Sequence, residues 1–311
     1  MDLVVVLEVM LELLAIMLLG YFLFKKGILN PEVSKKLSWL VVNVTAPLLV
    51  LYAMYQVEDG GGRSIVIHTL LLGLICYTGF IALAFVLSKV LRVPKGTRGI
   101  YQFILVFANT GFMGYPVIQS LFGTGAVFYA SIYGIAFNLY VYTYGIWVIK
   151  NDCGGEGGGF RWQSLINPGI ISSVLAMIFF LADVKLPEVV IDLFGSLGNM
   201  TTPLSMLILG ASMGEFALGE LFRDRKLYSI TFLRLIALPL LMYVITSACG
   251  VAPLLVGIVT VSAAMPAASM AVMLATTYDG NIEFASKSVV FSTLLSIVTL
   301  PIVMAITHLS V

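Results

Sequence analysis

The chain has 311 residues, 60% of them hydrophobic and only 11% Asp, Glu, Lys or Arg, with a net charge of +1 and a mean hydropathy of +1.04. A soluble domain of this length needs far more polar surface, so the composition excludes that class and points to a membrane protein. The near-neutral charge gives no nucleic-acid signal, and three scattered cysteines (Cys76, Cys153, Cys249) imply neither a disulfide framework nor a metal site.

Runs free of charge and about 20 residues long can cross a bilayer as helices. Span 1 covers 3–24, and the absence of a preceding positive charge or a following cleavage site makes it a retained helix rather than a signal peptide. Its stretch "VLEVMLELL" puts Glu8 and Glu12 on one face at i, i+4. At 1.5 Å per residue Glu12 lies about 14 Å along, near mid-bilayer. A buried carboxylate with a raised pKa would suit proton coupling; a helix face lining an outer vestibule, or a structural pairing of Glu12, is the other reading.

Span 2 (37–56) contains "NVTAPL" at 43–48, a proline kink whose loosened backbone is expected to be satisfied by Asn43 and Thr45. Span 3 covers 65–88. Span 4 (99–122) reads "FILVFANTGFMGYPVIQSLFG" from Phe103, with Asn109, Thr110, Gly111, Gly114 and Pro116 at its middle. Proline removes a donor and glycine weakens a helix by about 1 kcal/mol relative to alanine, so a break is expected there. Span 5 (126–149) carries Asn138, whose amide is costly against lipid and is expected to face another helix as a substrate or supporting contact.

A short glycine-rich linker, "KNDCGGEGGGFRWQ" (150–163), is flexible and too short to be a domain. Span 6 covers 165–182. Span 7 (189–214) repeats the earlier motif as "NMTTPL" at 199–204. Span 8 (228–249) holds Arg234 about 10 Å inside, where it would either balance a carboxylate substrate or snorkel to the inner headgroups. Span 9 (254–278) has a second break at Pro266, followed by Ala267, Ala268 and Ser269, and span 10 covers 288–309. His68 and His308 fall near outer helix ends and read as interfacial residues.

With the N-terminus outside, 14 of the 17 Lys and Arg residues fall in inside loops, which sets both termini outside. The expected location is a bacterial cytoplasmic membrane, with the lipid bilayer as the surrounding partner. No Walker loop, nucleotide-binding glycine motif, HExxH or nucleophile elbow occurs, so no enzyme is expected and no cofactor is implied.

The chain also resembles itself. Pro31, Glu32, Val33, Asn43, Thr45, Pro47 and Leu48 fall on Pro187, Glu188, Val189, Asn199, Thr201, Pro203 and Leu204 at one offset of 156. "GAVFYAS" (125–131) matches "GNIEFAS" (280–286) close to the same offset. The unit holds five spans, an odd number, so the second copy crosses in the opposite sense. The expected fold is therefore an all-α polytopic membrane protein with ten transmembrane helices as two inverted five-helix repeats, residues 1–149 and 164–311. The repeat places Ala108-Asn109-Thr110-Gly111 opposite Pro266-Ala267-Ala268-Ser269. Non-helical backbone survives at membrane depth only when packed in protein or lining a cavity, and each break leaves a half-helix N-terminus that attracts an anion. Close helix packing through Gly and Ala is the alternative; the symmetric pair favours a substrate site at Asn109, Thr110, Gly111, Asn138, Arg234, Pro266, Ala267 and Ser269.

The stretches "FANTGFMGYPVIQSLFG", "AAMPAASMAVMLATTY", "KKGILNPEVSKKLSWLVVNVTAPLL" and "FSTLLSIVTLPIV" resemble the auxin efflux carrier family, across all ten spans. That family includes plant PIN-type carriers and bacterial members described as malate or malonate permeases. The resemblance implies a fold similar to the sodium–bile acid symporters, with spans 1, 2, 6 and 7 as scaffold and spans 3–5 and 8–10 as a mobile transport domain. It further implies that spans 4 and 9 cross at their breaks and that organic anions move by an elevator motion, within a homodimer. Plant members carry Pro-Asn-Thr at the first break; here Asn109 and Thr110 match and Ala108 replaces the proline. A sodium-coupled symporter, and in a different class a passive pore or sensor, are the competing functions.

Overall fold

The computed structural model describes residues 3–57, 63–153, 167–214, 224–278 and 280–307. The linker beyond residue 153 and His308 lie outside the described residues. Among them, regular structure is helical apart from a single antiparallel bridge between Ala108 and Ala267.

In chain order the helices are α1 (Leu3–Lys25), α2 (Pro31–Tyr55) and α3 (Arg63–Val90). Then come α4 (Arg98–Val106), α5 (Tyr115–Phe122), α6 (Thr124–Asp152) and α7 (Pro168–Leu181). They are followed by α8 (Glu188–Gly198), α9 (Thr201–Gly214) and α10 (Leu227–Ala248). The last are α11 (Pro253–Ala264), α12 (Met270–Thr277) and α13 (Ile282–Thr307). Among the described residues α2, α3, α6, α10 and α13 are long and apolar enough to cross a membrane, as a polytopic membrane protein requires. Spans 4 and 9 are interrupted where expected. Span 7 is interrupted too, by a turn at Asn199–Met200 between α8 and α9.

Three of the helical runs widen into a π turn just ahead of a proline: Val41–Thr45 before Pro47, Thr110–Gly114 before Pro116, and Leu233–Ala237 before Pro239. Proline has no N–H to give the carbonyl four residues back. In each case the residue before it (Ala46, Tyr115, Leu238) instead donates five residues back, to Val41, Thr110 and Leu233. In "NVTAPL" the Asn43 side-chain amide donates to the Trp39 carbonyl at 2.8 Å, the local satisfaction its sequence suggested. Thr45 does something different: its hydroxyl accepts from Thr201 Oγ1 at 3.0 Å, so the two copies of the motif touch.

Glycines set the closest helix approaches. A Cβ at Gly210 would lie 1.8 Å from the Met17 carbonyl oxygen, and one at Gly20 would lie 2.2 Å from that of Leu207, so α1 and α9 meet backbone to backbone. Gly198 likewise admits the Leu49 backbone of α2, with 2.7 Å left for a Cβ. The buried side chains form two apolar clusters, one around Met17, Leu49, Phe128 and Met206, the other around Tyr77, Phe103, Phe107 and Phe291. The candidate site lies where their chain segments meet.

Candidate functional site

Met265 precedes Pro266, and a residue before proline is pushed out of the helical region. It sits at φ −67°, ψ 149°, which ends α11 at Ala264. The chain stays extended to Ala268 before α12 begins. On the other side α4 stops at Val106 and Phe107 is extended at φ −105°, ψ 115°. The two extended stretches run antiparallel and satisfy each other. Asn109 N donates to Pro266 O at 2.8 Å, and Ala268 N donates to Phe107 O at 3.1 Å. Ser292 Oγ of α13 accepts from Ala267 N at 3.1 Å. The crossing thus pairs three of its backbone donors, Asn109 N, Ala267 N and Ala268 N, as broken backbone packed inside protein requires.

Beside this crossing lies a cavity of about 210 Å³. Its lining includes Asn109, Thr110, Gly111, Asn138 and Ser269, so the structure brings five of the eight expected substrate residues together. Apolar walls come from Val41, Val42, Pro47 and Val50 of α2, Phe112 beyond the first break, Phe137 of α6 and Met270 of α12. The cavity lies against the start of α7, through Asn167, Gly169 and Ser172.

Several residues that line the cavity carry donors without a protein partner. Asn109 is 5% exposed; its Oδ1 accepts from Phe112 N at 3.3 Å, and its Nδ2 has no protein partner among the described residues. Asn167 repeats the arrangement: Oδ1 caps α7 by accepting from Ile170 N at 3.0 Å, and Nδ2 is left over. Among the described residues the backbone amides of Gly111, Ser269 and Met270 also have no protein acceptor. These amides belong to the starts of the post-break helices, where partial positive charge collects. Asn138 turns its amide nitrogen to Gly134 O at 2.9 Å. No charged side chain is among the described lining residues.

The remaining expected residues sit elsewhere. Pro266 and Ala267 form the crossing itself rather than the cavity wall. Arg234 is 1% exposed and lies behind the crossing, where Nη1 donates to Leu105 O at 2.9 Å and Nε to Met265 O at 3.3 Å. It neither lines the cavity nor snorkels. Glu8 and Glu12 are exposed on α1 and are not part of the cavity lining. Asn167 is marked in the sequence by the proline that follows it, the signature of an N-cap with proline at the first helical position. Phe112, Tyr115 and Tyr142 carry no such mark, since only the fold brings them to the cavity.

The sequence profile of the membrane transport protein family matches residues 5–156 and 158–304. An uncharacterized transporter of Methanothermobacter thermautotrophicus is 28% identical over 298 residues, spanning 95% of this chain and 96% of the relative. An uncharacterized transporter of Methanocaldococcus jannaschii is 24% identical over 310 residues, covering 94% and 96%. The uncharacterized transporter YfdV of Escherichia coli is 22% identical over 306 residues, covering 94% and 95%.

Proposed function

This chain belongs to the membrane transport protein family, the auxin efflux carriers, and on that premise we propose that it is a secondary carrier of small organic acid anions. The observation that carries the reading is the donor set at the crossing. Among residues that line the cavity, the side-chain amide nitrogens of Asn109 and Asn167 are buried without a protein partner, backbone amides at two helix starts have no protein acceptor, and no carboxylate is among the described lining residues. Fixed N–H groups of this kind suit a carboxylate, and the apolar wall opposite suits its carbon skeleton.

In this reading the ten spans form two inverted repeats, and the direct Thr45–Thr201 contact at a separation of 156 residues fits a pseudo-two-fold relation between them. Spans 1, 2, 6 and 7 hold still while spans 3–5 and 8–10 carry the crossing and its substrate across the membrane. Alternating access of this kind is common for broken-helix carriers with midplane sites. The cavity adjoins the start of α7, next to the linker, which the distribution of Lys and Arg puts on the cytoplasmic side. The protein then works in a cytoplasmic membrane with both termini outside, as a homodimer.

The test is uptake into proteoliposomes of a panel of labelled mono- and dicarboxylates. A carrier gives saturable uptake and counterflow for at least one of them. Linear, non-saturating flux without counterflow would replace the carrier with a pore.

A further inference from the structure

We infer that Arg234 is a built-in cation for the crossing, so that this protein binds and moves its substrate without sodium or another coupling metal ion. The inference deepens the proposed carrier function by naming its ion dependence. It starts from the geometry of the two half-helices that end at the crossing. α4 (9 residues) and α11 (12 residues) point their C-terminal ends at the same place. The last carbonyls of a helix have no intrahelical partner, and each such end carries roughly −0.5 of an elementary charge. Two ends together amount to about one negative charge in a desolvated position. In broken-helix carriers, unwound carbonyls and half-helix C-terminal ends are where a coupling cation is held.

Here a side chain of the protein itself fills that position. Arg234 Nη1 bonds Leu105 O, one residue from the end of α4, and Nε bonds Met265 O, the residue that closes α11. One guanidinium, with one positive charge, therefore ties together one orphan carbonyl from each half-helix. Its placement follows from the sequence around it: Arg234 lies in the π turn that Pro239 imposes on α10, buried to 1% exposure. Among the described residues the hydrogen-bond partners of Arg234 are these two carbonyls, and neither is a carboxylate. The carbonyl ends are its counter-charge. A sodium ion arriving at the same carbonyls would meet a fixed positive charge already bonded to them.

The experiment is thermal unfolding of the purified full-length protein while NaCl replaces choline chloride at constant ionic strength, repeated with KCl and LiCl. No substrate is needed, so the result stands whether or not organic anions prove to be the cargo. Wild type is expected to unfold at the same temperature in every salt. Arg234→Gln removes the charge and is expected to unfold several degrees lower in choline, with a saturable rise on adding an alkali cation. Arg234→Lys keeps the charge and is expected to lie nearer wild type with no cation response. A saturable sodium-dependent shift in wild type overturns the inference, as does Arg234→Gln matching wild type in choline or showing no cation response. Should Arg234→Gln fail to fold, wild type and Arg234→Lys decide: salt-independence in both supports the inference, and a sodium shift in either overturns it.

Discussion

Asn109→Asp separates the structural role of Asn109 from its role in binding. The acceptor that holds Phe112 N at 3.3 Å survives the change, because either carboxylate oxygen can take the place of Oδ1, so the start of the π turn keeps its cap. What is lost is the unpartnered Nδ2 donor of a residue that lines the cavity. A hydrogen bond to a charged group contributes about 1.5–3 kcal/mol. In its place stands a negative charge about 4 Å from a bound carboxylate, which costs about 4 kcal/mol at an effective dielectric constant near 20. Together these amount to about 6 kcal/mol, or roughly four orders of magnitude in affinity at 1.4 kcal/mol per tenfold. Isothermal titration of the purified variant with a carboxylate that wild type transports reads this directly. Protonating the introduced carboxylate restores a donor and removes the charge, so affinity is expected to recover as pH falls. A folded Asn109→Asp protein that binds within tenfold of wild type at neutral pH would refute the placement of the anion at the crossing.

Gly210→Ala drives a methyl group to 1.8 Å from the Met17 carbonyl oxygen, and the α1–α9 seam has to open. A cost near the top of the 1–3 kcal/mol overpacking range is expected in thermal unfolding. Gly79→Ala on α3 is the contrast: a Cβ there meets nothing within 4 Å, so helix propensity alone stabilises the protein, by up to about 1 kcal/mol. Ser292→Ala strips the acceptor from Ala267 N at the crossing and is expected to cost about 1–3 kcal/mol, the penalty for a buried orphan donor, in the same assay. Asn167→Ala removes both the cap of α7 and an unpartnered donor of a residue that lines the cavity. It is expected to lose about 1 kcal/mol of stability and about 1.5–3 kcal/mol of carboxylate binding, while Asn167→Asp keeps the cap and loses only the binding.

The helix positions were legible because charge is excluded from lipid, but helix starts were not legible from charge alone. Span 2 was expected from residue 37, yet α2 begins at Pro31, capped by Asn30, whose Oδ1 accepts from Val33 N. Span 10 was expected from residue 288, yet α13 begins at Ile282. In both, the extra turns carry an i, i+4 ion pair, Glu32–Lys36 and Glu283–Lys287, so the helix continues past the charge-free run. The breaks at Asn109 and Pro266 were legible from Gly and Pro. The π turns were not: they come from how the chain reroutes a hydrogen bond ahead of a proline, and the same dipeptides also fit a simple kink. Arg234 shows the limit most plainly. Its depth was readable from its place in span 8, but its partners, Leu105 O and Met265 O, are 129 and 31 residues away in sequence and are brought to it only by the crossing.

The most direct test of the account is a structure determined with a transported carboxylate bound. The account predicts the carboxylate in the cavity beside the crossing, with an oxygen within hydrogen-bond distance of Asn109 Nδ2 and the backbone amides of Gly111, Ser269 or Met270. A carboxylate found instead on the guanidinium of Arg234, with its bonds to Leu105 O and Met265 O broken, would contradict it.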